Sequence, residues 1–106
     1  MTNQEREQLE ERVIMALKTV YDPEIPVDVY ELGLIYNVQV NDDASVDITM
    51  TLTSPSCPVA ESLPEEVRER VAQTSGVANA KVDLTFDPPW TRDMMSEAAM
   101  LELGFM

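Results

Sequence analysis

Histidine is absent from this chain of 106 residues. That removes Ser-His and Cys-His catalytic pairs, histidine general bases and histidine metal ligands in one step. Cysteine occurs once, as Cys57, so there is no internal disulfide and no C-x-x-C redox pair. Glycine occurs three times, as Gly33, Gly76 and Gly104, which leaves no glycine-rich phosphate loop. Basic residues are scarce: seven stand against twenty acidic ones, a net charge of −13. No two of them adjoin, whereas binding phosphates takes clustered Lys and Arg, so a nucleic-acid partner is excluded. The acidity serves solubility first and a basic protein partner second. No apolar run approaches the roughly 20 residues of a membrane helix. The polar opening is unlike a signal peptide, and with a lone cysteine this predicts a cytoplasmic protein. Composition is that of an ordinary globular protein, 44% hydrophobic and 25% charged, and the length suits one domain over 1–106. The chemistry left is one thiol, carboxylates and hydroxyls.

That thiol lies in Thr51-Leu52-Thr53-Ser54-Pro55-Ser56-Cys57-Pro58. Upstream, Val46, Ile48, Met50 and Leu52 alternate with Asp47, Thr49, Thr51 and Thr53, the period of a half-buried strand. Pro55 and Pro58 stop the ladder, since proline lacks an amide hydrogen and fixes φ. Beyond them Ala60, Leu63, Val67 and Val71 recur at helical spacing. Two helix starts compete. With Pro58 as the first helical residue, Cys57 sits beside the N-cap, where free amides favour an anion by about 0.3–1 kcal/mol. With Ser62-Leu63-Pro64-Glu65 as a capping box, the regular helix begins there and Pro64 causes no kink.

Elsewhere the signals are plainer. Thr2-Asn3-Gln4-Glu5 is a capping box opening a helix whose stripe is Leu9, Val13, Ala16, Leu17 and Val20, ending before Asp22-Pro23. Asp28-Val29-Tyr30-Glu31 caps one helical turn over Val29–Leu32, closed by Gly33. Leu34, Tyr36, Val38 and Val40 alternate as the first strand, and Asn41-Asp42-Asp43-Ala44 turns it back antiparallel. Gly76 closes the second helix, and Val82, Leu84 and Phe86 mark a third strand. Asp87-Pro88-Pro89-Trp90 ends the sheet, with Trp90 read as a core plug. A last helix over Ser96–Leu103 presents Ala99, Met100 and Leu103, capped by Gly104. The order α-β-β-α-β-α predicts an α+β two-layer sandwich: a small antiparallel or mixed three-stranded sheet with helices on one face.

Five motifs in register resemble a known family: Asp22-Pro23-Glu24, Val27 to Leu34, Thr51 to Pro58, Asp87 to Trp90, and Leu103-Gly104-Phe105. Over nearly the whole chain they are similar to the SufT/PaaD-type family of small iron–sulfur maturation proteins. PaaD-type members carry further cysteines, so this chain sides with SufT. The resemblance implies a non-enzymatic accessory factor in iron–sulfur cluster assembly or transfer to client apoproteins. It implies Cys57 as the central residue and metal ligand, with Asp22, Glu24 and Thr53 beside it. One thiolate cannot hold a cluster whose irons take four cysteine ligands. A transient cluster would be shared between two Cys57 thiols of a homodimer, with a client's cysteines, or with small thiols, and no monomer holds one stably. The blander readings stand beside these. Cys57 is then a buried small hydrophobe, Asp22 caps a turn and Thr53 bonds the local backbone. The function alternatives are a metal-free interaction adaptor, a small thiol-dependent enzyme and a PaaD-like oxygenase maturation factor.

Overall fold

The computed structural model describes residues 1–22, 25–53 and 62–104. Helix α1 spans Asn3–Leu17, and strands β1 (Ile35–Val40) and β2 (Ser45–Met50) form a hairpin. Helix α2 (Ser62–Ala72) leads to β3 (Asn79–Leu84), followed by a 3-10 turn over Arg92–Met94 and a short helix α3 (Glu97–Glu102). The sheet order is β1-β2-β3, with β1 antiparallel and β3 parallel to β2. The sheet is therefore mixed, and the predicted order α-β-β-α-β-α holds.

Burial decides the register. Val46, Ile48 and Met50 of β2 are fully buried and Leu52 nearly so, each worth about 1.5–3 kcal/mol. They pack against Leu9, Val13 and Leu17 of α1 and Leu63, Val67 and Val71 of α2 in one core. The opposite sheet face carries Asn37, Gln39, Asp47, Thr49, Lys81 and Asp83, exposed or half-buried. A one-residue slip would turn those polar groups inward.

The first capping box forms as read, and the Asp28 box forms its amide-to-carboxylate half. Thr2 caps α1, its hydroxyl accepting the Glu5 amide (3.1 Å) while the Glu5 carboxylate accepts the Thr2 amide (3.1 Å). Asp28 accepts the Glu31 amide (3.0 Å) at the start of the Val29–Leu32 turn. That turn ends in a Schellman motif: Gly33 donates to the Tyr30 carbonyl and Leu34 to the Val29 carbonyl, both at 3.1 Å. Gly33 has φ of +80°. A Cβ there would also overlap the Met94 carbonyl, so two separate constraints demand glycine. Ser96 caps α3 by accepting the Ala99 amide (3.1 Å).

Three expectations need correction. First, α1 ends at Leu17 rather than just before Asp22. The Val20 carbonyl, which a longer helix would have kept for itself, accepts the Val29 amide (2.8 Å). Second, β1 does not alternate simply from Leu34 to Val40. Its register shifts between Ile35 and Asn37, so Ile35 pairs with buried Met50 and Tyr36 sits at a bulge. The Tyr36 hydroxyl donates to the Pro88 carbonyl (2.7 Å). Third, Phe86, read as part of the third strand, lies beyond β3, which ends at Leu84; Leu84 and Phe86 are each 39% exposed, and within β3 only Ala80 is buried. An edge strand has neighbours on one side alone, so its pattern promises more burial than the fold delivers.

The start of α2 bears on Cys57. Pro64 lies in the first turn of Ser62–Ala72, where proline is tolerated. The Glu65 carboxylate turns forward to accept from Arg68. Cys57 and its proposed place beside an N-cap lie outside the described residues.

Gly33→Ala should lower stability by at least about 2 kcal/mol in urea unfolding, from left-handed strain together with the Met94 overlap. A pH dependence follows from α1. The Thr2 amide, then the Thr2 hydroxyl, hold the Glu5 carboxyl below its ordinary range. A lowered folded pKa stabilises above the unfolded value and stops doing so as pH falls through the folded one. Wild type should therefore melt above Glu5→Gln at neutral pH, with the gap closing on acidification.

Candidate functional site

The chain leaves the sheet at the end of β2, and neighbours on both sides fix that departure. The Thr51 amide donates to the Leu34 carbonyl (2.8 Å) on one side. On the other, the Thr85 amide donates to the Met50 carbonyl (2.9 Å). Thr51 is fully buried, Leu52 is 2% exposed and Thr53 is half-buried. The strand thus climbs from core to surface just ahead of residues 54–61. Since β2 and β3 run parallel with α2 between them, this is the carboxyl end of a strand–helix crossover.

Leu34 connects this corner to the Asp22 segment. Its carbonyl receives the Thr51 amide, and its own amide donates to the Val29 carbonyl. The Val29 amide in turn donates to the Val20 carbonyl. A backbone relay therefore runs from Val20 through Val29 and Leu34 to Thr51. Asp22 lies two residues beyond one end and Thr53 two beyond the other. Asp22 is 5% exposed and is not free, while its carbonyl accepts the Ile25 amide (3.3 Å). Tyr21 bridges Asp28 across the same loop. Two predicted site residues thus share one framework. Glu24 and Cys57 lie outside the described residues.

Sequence reasoning missed what braces this framework. After β3 the chain straps across the Val29–Gly33 turn. Trp90, half-buried, donates its indole N–H to the Leu32 carbonyl (2.7 Å), and the Ser96 amide donates to the Glu31 carbonyl (2.9 Å). Met94 rests against Gly33. Trp90 is thus both a partial core plug, as expected, and a hydrogen-bond donor. A tryptophan beside two prolines is the one sequence signal of the strap.

Positive charge near the framework is sparse. Lys18 pairs with Glu31 (3.6 Å) and lies over the Tyr30 ring (5.4 Å). Elsewhere, Arg68 holds the Glu65 carboxyl below its ordinary range, and hydrogen bonds from Ser45 do the same for Asp43. Among the described residues, no three of Cys, Asp and Glu are grouped to hold a metal ion. The one anionic sulfur donor the sequence can offer iron is its single thiol, since methionine thioethers are neutral and carboxylate oxygen suits harder cations.

Comparison with known proteins bears on the family. Residues 10–84 match the family model described as iron–sulfur cluster assembly protein. The chain is similar to an Fe-S protein maturation auxiliary factor of Porphyromonas gingivalis, with 59% identity over 98% of this chain and 99% of that one. It is similar also to the auxiliary factor SufT of Staphylococcus aureus, 39% identical over 80% of this chain and 97% of its relative. A domain of unknown function solved from Bacillus anthracis superposes with a TM-score of 0.90 at 32% identity, covering 99% of this chain and all of the other. The resemblance drawn from the five motifs is borne out.

Trp90→Phe keeps most of the apolar surface and deletes the bond to Leu32. It should cost about 1 kcal/mol by circular-dichroism-monitored unfolding. It should also speed hydrogen exchange at Gly33 and Leu34, which sit beside the carbonyl that loses its partner.

Proposed function

Because the chain belongs to the iron–sulfur cluster assembly protein family, we propose that it hands cluster or iron to client apoproteins, with Cys57 as the transient ligand. Its role is that of an accessory factor in cluster assembly and transfer, a reading supported by relatives named Fe-S protein maturation auxiliary factors. The observation supporting Cys57 is topological. In sequence Cys57 falls between the carboxyl end of β2 and α2, and the relay that ties down the Asp22 and Thr53 segments reaches that strand end.

The cargo fits a shared arrangement. One thiolate occupies one coordination position, and the other ligands come from small thiols or a client. Binding to iron deprotonates the thiol directly, so Cys57 needs no histidine base. The Cys57 proton leaves when sulfur binds iron, a client thiolate then replaces that sulfur, and Cys57 takes a proton back. Neither metal nor sulfur changes oxidation state in this exchange. Thr53, half-buried at the loop's edge, is assigned to orienting the loop. Asp22, being buried and engaged, is assigned to holding the neighbouring backbone rather than ligating iron. Glu24 flanks it in sequence as a second carboxylate of the site. The protein works in the cytoplasm, as one domain and without catalysing a bond change of its own.

Anaerobic reconstitution with iron, sulfide and a small thiol should give a visible charge-transfer band that Cys57→Ser lacks. That variant should also fail to mature a client apoprotein. If it matures clients as well as wild type does, the thiol is dispensable and the chain is a metal-free adaptor.

A further inference from the structure

We infer that β3 is a dimerisation edge, on which a second copy of this chain pairs antiparallel about a twofold axis at Val82. This inference is independent of the role assigned to Cys57. Strand β3 ends the sheet order. The Thr85 amide points to β2, since it bonds the Met50 carbonyl. Alternation along a strand therefore aims the amides of Lys81 and Asp83 at β2 and those of Ala80, Val82 and Leu84 outward. The Ala80 amide is held by the side-chain oxygen of its neighbour Asn79 (3.0 Å). An exposed edge of this kind is a ready template for another strand.

Side chains choose both partner and register. An antiparallel pair must join outward-facing amides, which restricts the twofold to Lys81, Val82 or Asp83. At Lys81, two lysines oppose each other; at Asp83, two carboxylates do. At Val82, Lys81 of each copy faces Asp83 of the other, twice per dimer, and opposite charges across strands stabilise while like charges destabilise. The same register sets Leu84 opposite Ala80. The large side chain left 39% exposed at β3's end thus meets a small one. Within one copy Lys81 and Asp83 touch only loosely, at 3.8 Å and largely exposed, so both are free to re-pair. The edge is complementary to itself, and nothing in it selects a different partner.

This geometry also fixes where the two sites lie. Met50 pairs with Leu84, so Thr53 stands about level with Asp87, five residues past the twofold axis. At about 3.3 Å per residue along the strands and about 4.8 Å between them, the two Thr53 corners are roughly 35 Å apart on opposite ends of a six-stranded sheet. Such a dimer keeps the two Thr53 corners apart.

Sedimentation equilibrium of the full chain tests this, run near physiological salt because the −13 on each copy repels and is screened over about 8 Å. Wild type should show a concentration-dependent dimer. Lys81→Glu alone and Asp83→Lys alone should each weaken it at least about tenfold, with unchanged circular dichroism. Mixing the two single variants should restore association as a heterodimer, and the double variant should dimerise with itself. A monomer at every concentration overturns the proposal, as does a dimer indifferent to both charge reversals. Protection of the Val82 and Leu84 amides that appears only when a client is added would overturn it too, assigning the edge to a partner's strand.

Discussion

The backbone of Leu34 is the junction on which the rest of this structure depends. Its amide closes the helical turn that precedes it, and its carbonyl anchors the chain as it leaves β2. One residue can serve both only because Gly33 turns the chain with φ of +80°, a conformation that costs glycine little and other residues much. The hydrophobic partners agree with this geometry. Val29 and Leu34, brought together by the closing bond of the turn, are both fully buried. The strap through Trp90, Met94 and Ser96 then covers the turn from outside. The end of β2 is therefore fixed from three directions of sequence: the segment after α1, the segment before β1, and the chain after β3.

Magnitudes separate what holds the fold from what decorates it. The exposed ion pairs Arg6–Asp42 and Lys81–Asp83 belong to a class worth about 0–1 kcal/mol each. Any one buried side chain of β2 outweighs them. Charge in this chain accordingly does little for folding. Its weight falls on solubility and on the choice of partners, including the register in which two copies would meet.

The parts legible in sequence were those governed by local chemistry or by one-sided burial. Thr2 and Glu5, Asp28 and Glu31, and Ser96 announced helix starts because capping involves residues three apart. Gly33 and Gly104 announced helix ends because the required φ is positive at both. The alternation of β2 was reliable because its core face is covered completely. The failures all involve partners distant in sequence. Nothing near Val20 says that its carbonyl is taken by Val29, so α1 read too long. Leu34, Tyr36, Val38 and Val40 fit an unbroken strand, yet the Tyr36 hydroxyl finds its acceptor at Pro88, 52 residues away. The alternation of Val82, Leu84 and Phe86 marked a strand but could not reveal that it lies at the sheet edge. The relay between the Asp22 and Thr53 segments is built from carbonyls and amides, which every residue has, so no residue type betrays it. Only the resemblance of the motifs singled those residues out.

The composition also bears on why a single thiol would suit transfer. A site with four thiolates holds a cluster tightly and must break four bonds to release it. A protein contributing one ligand has one bond to exchange, and a client thiolate can take its place directly. The surrounding charge acts in the same sense. Thiolate-ligated clusters are anionic, and a net charge of −13 disfavours keeping an anion while favouring a more basic recipient. Helix-start amides stabilise an anion by no more than about 1 kcal/mol, too little to turn this corner into a store. If the lone cysteine is the ligand as proposed, a single exchangeable bond in an acidic protein would hold its cargo weakly, and weak holding favours delivery.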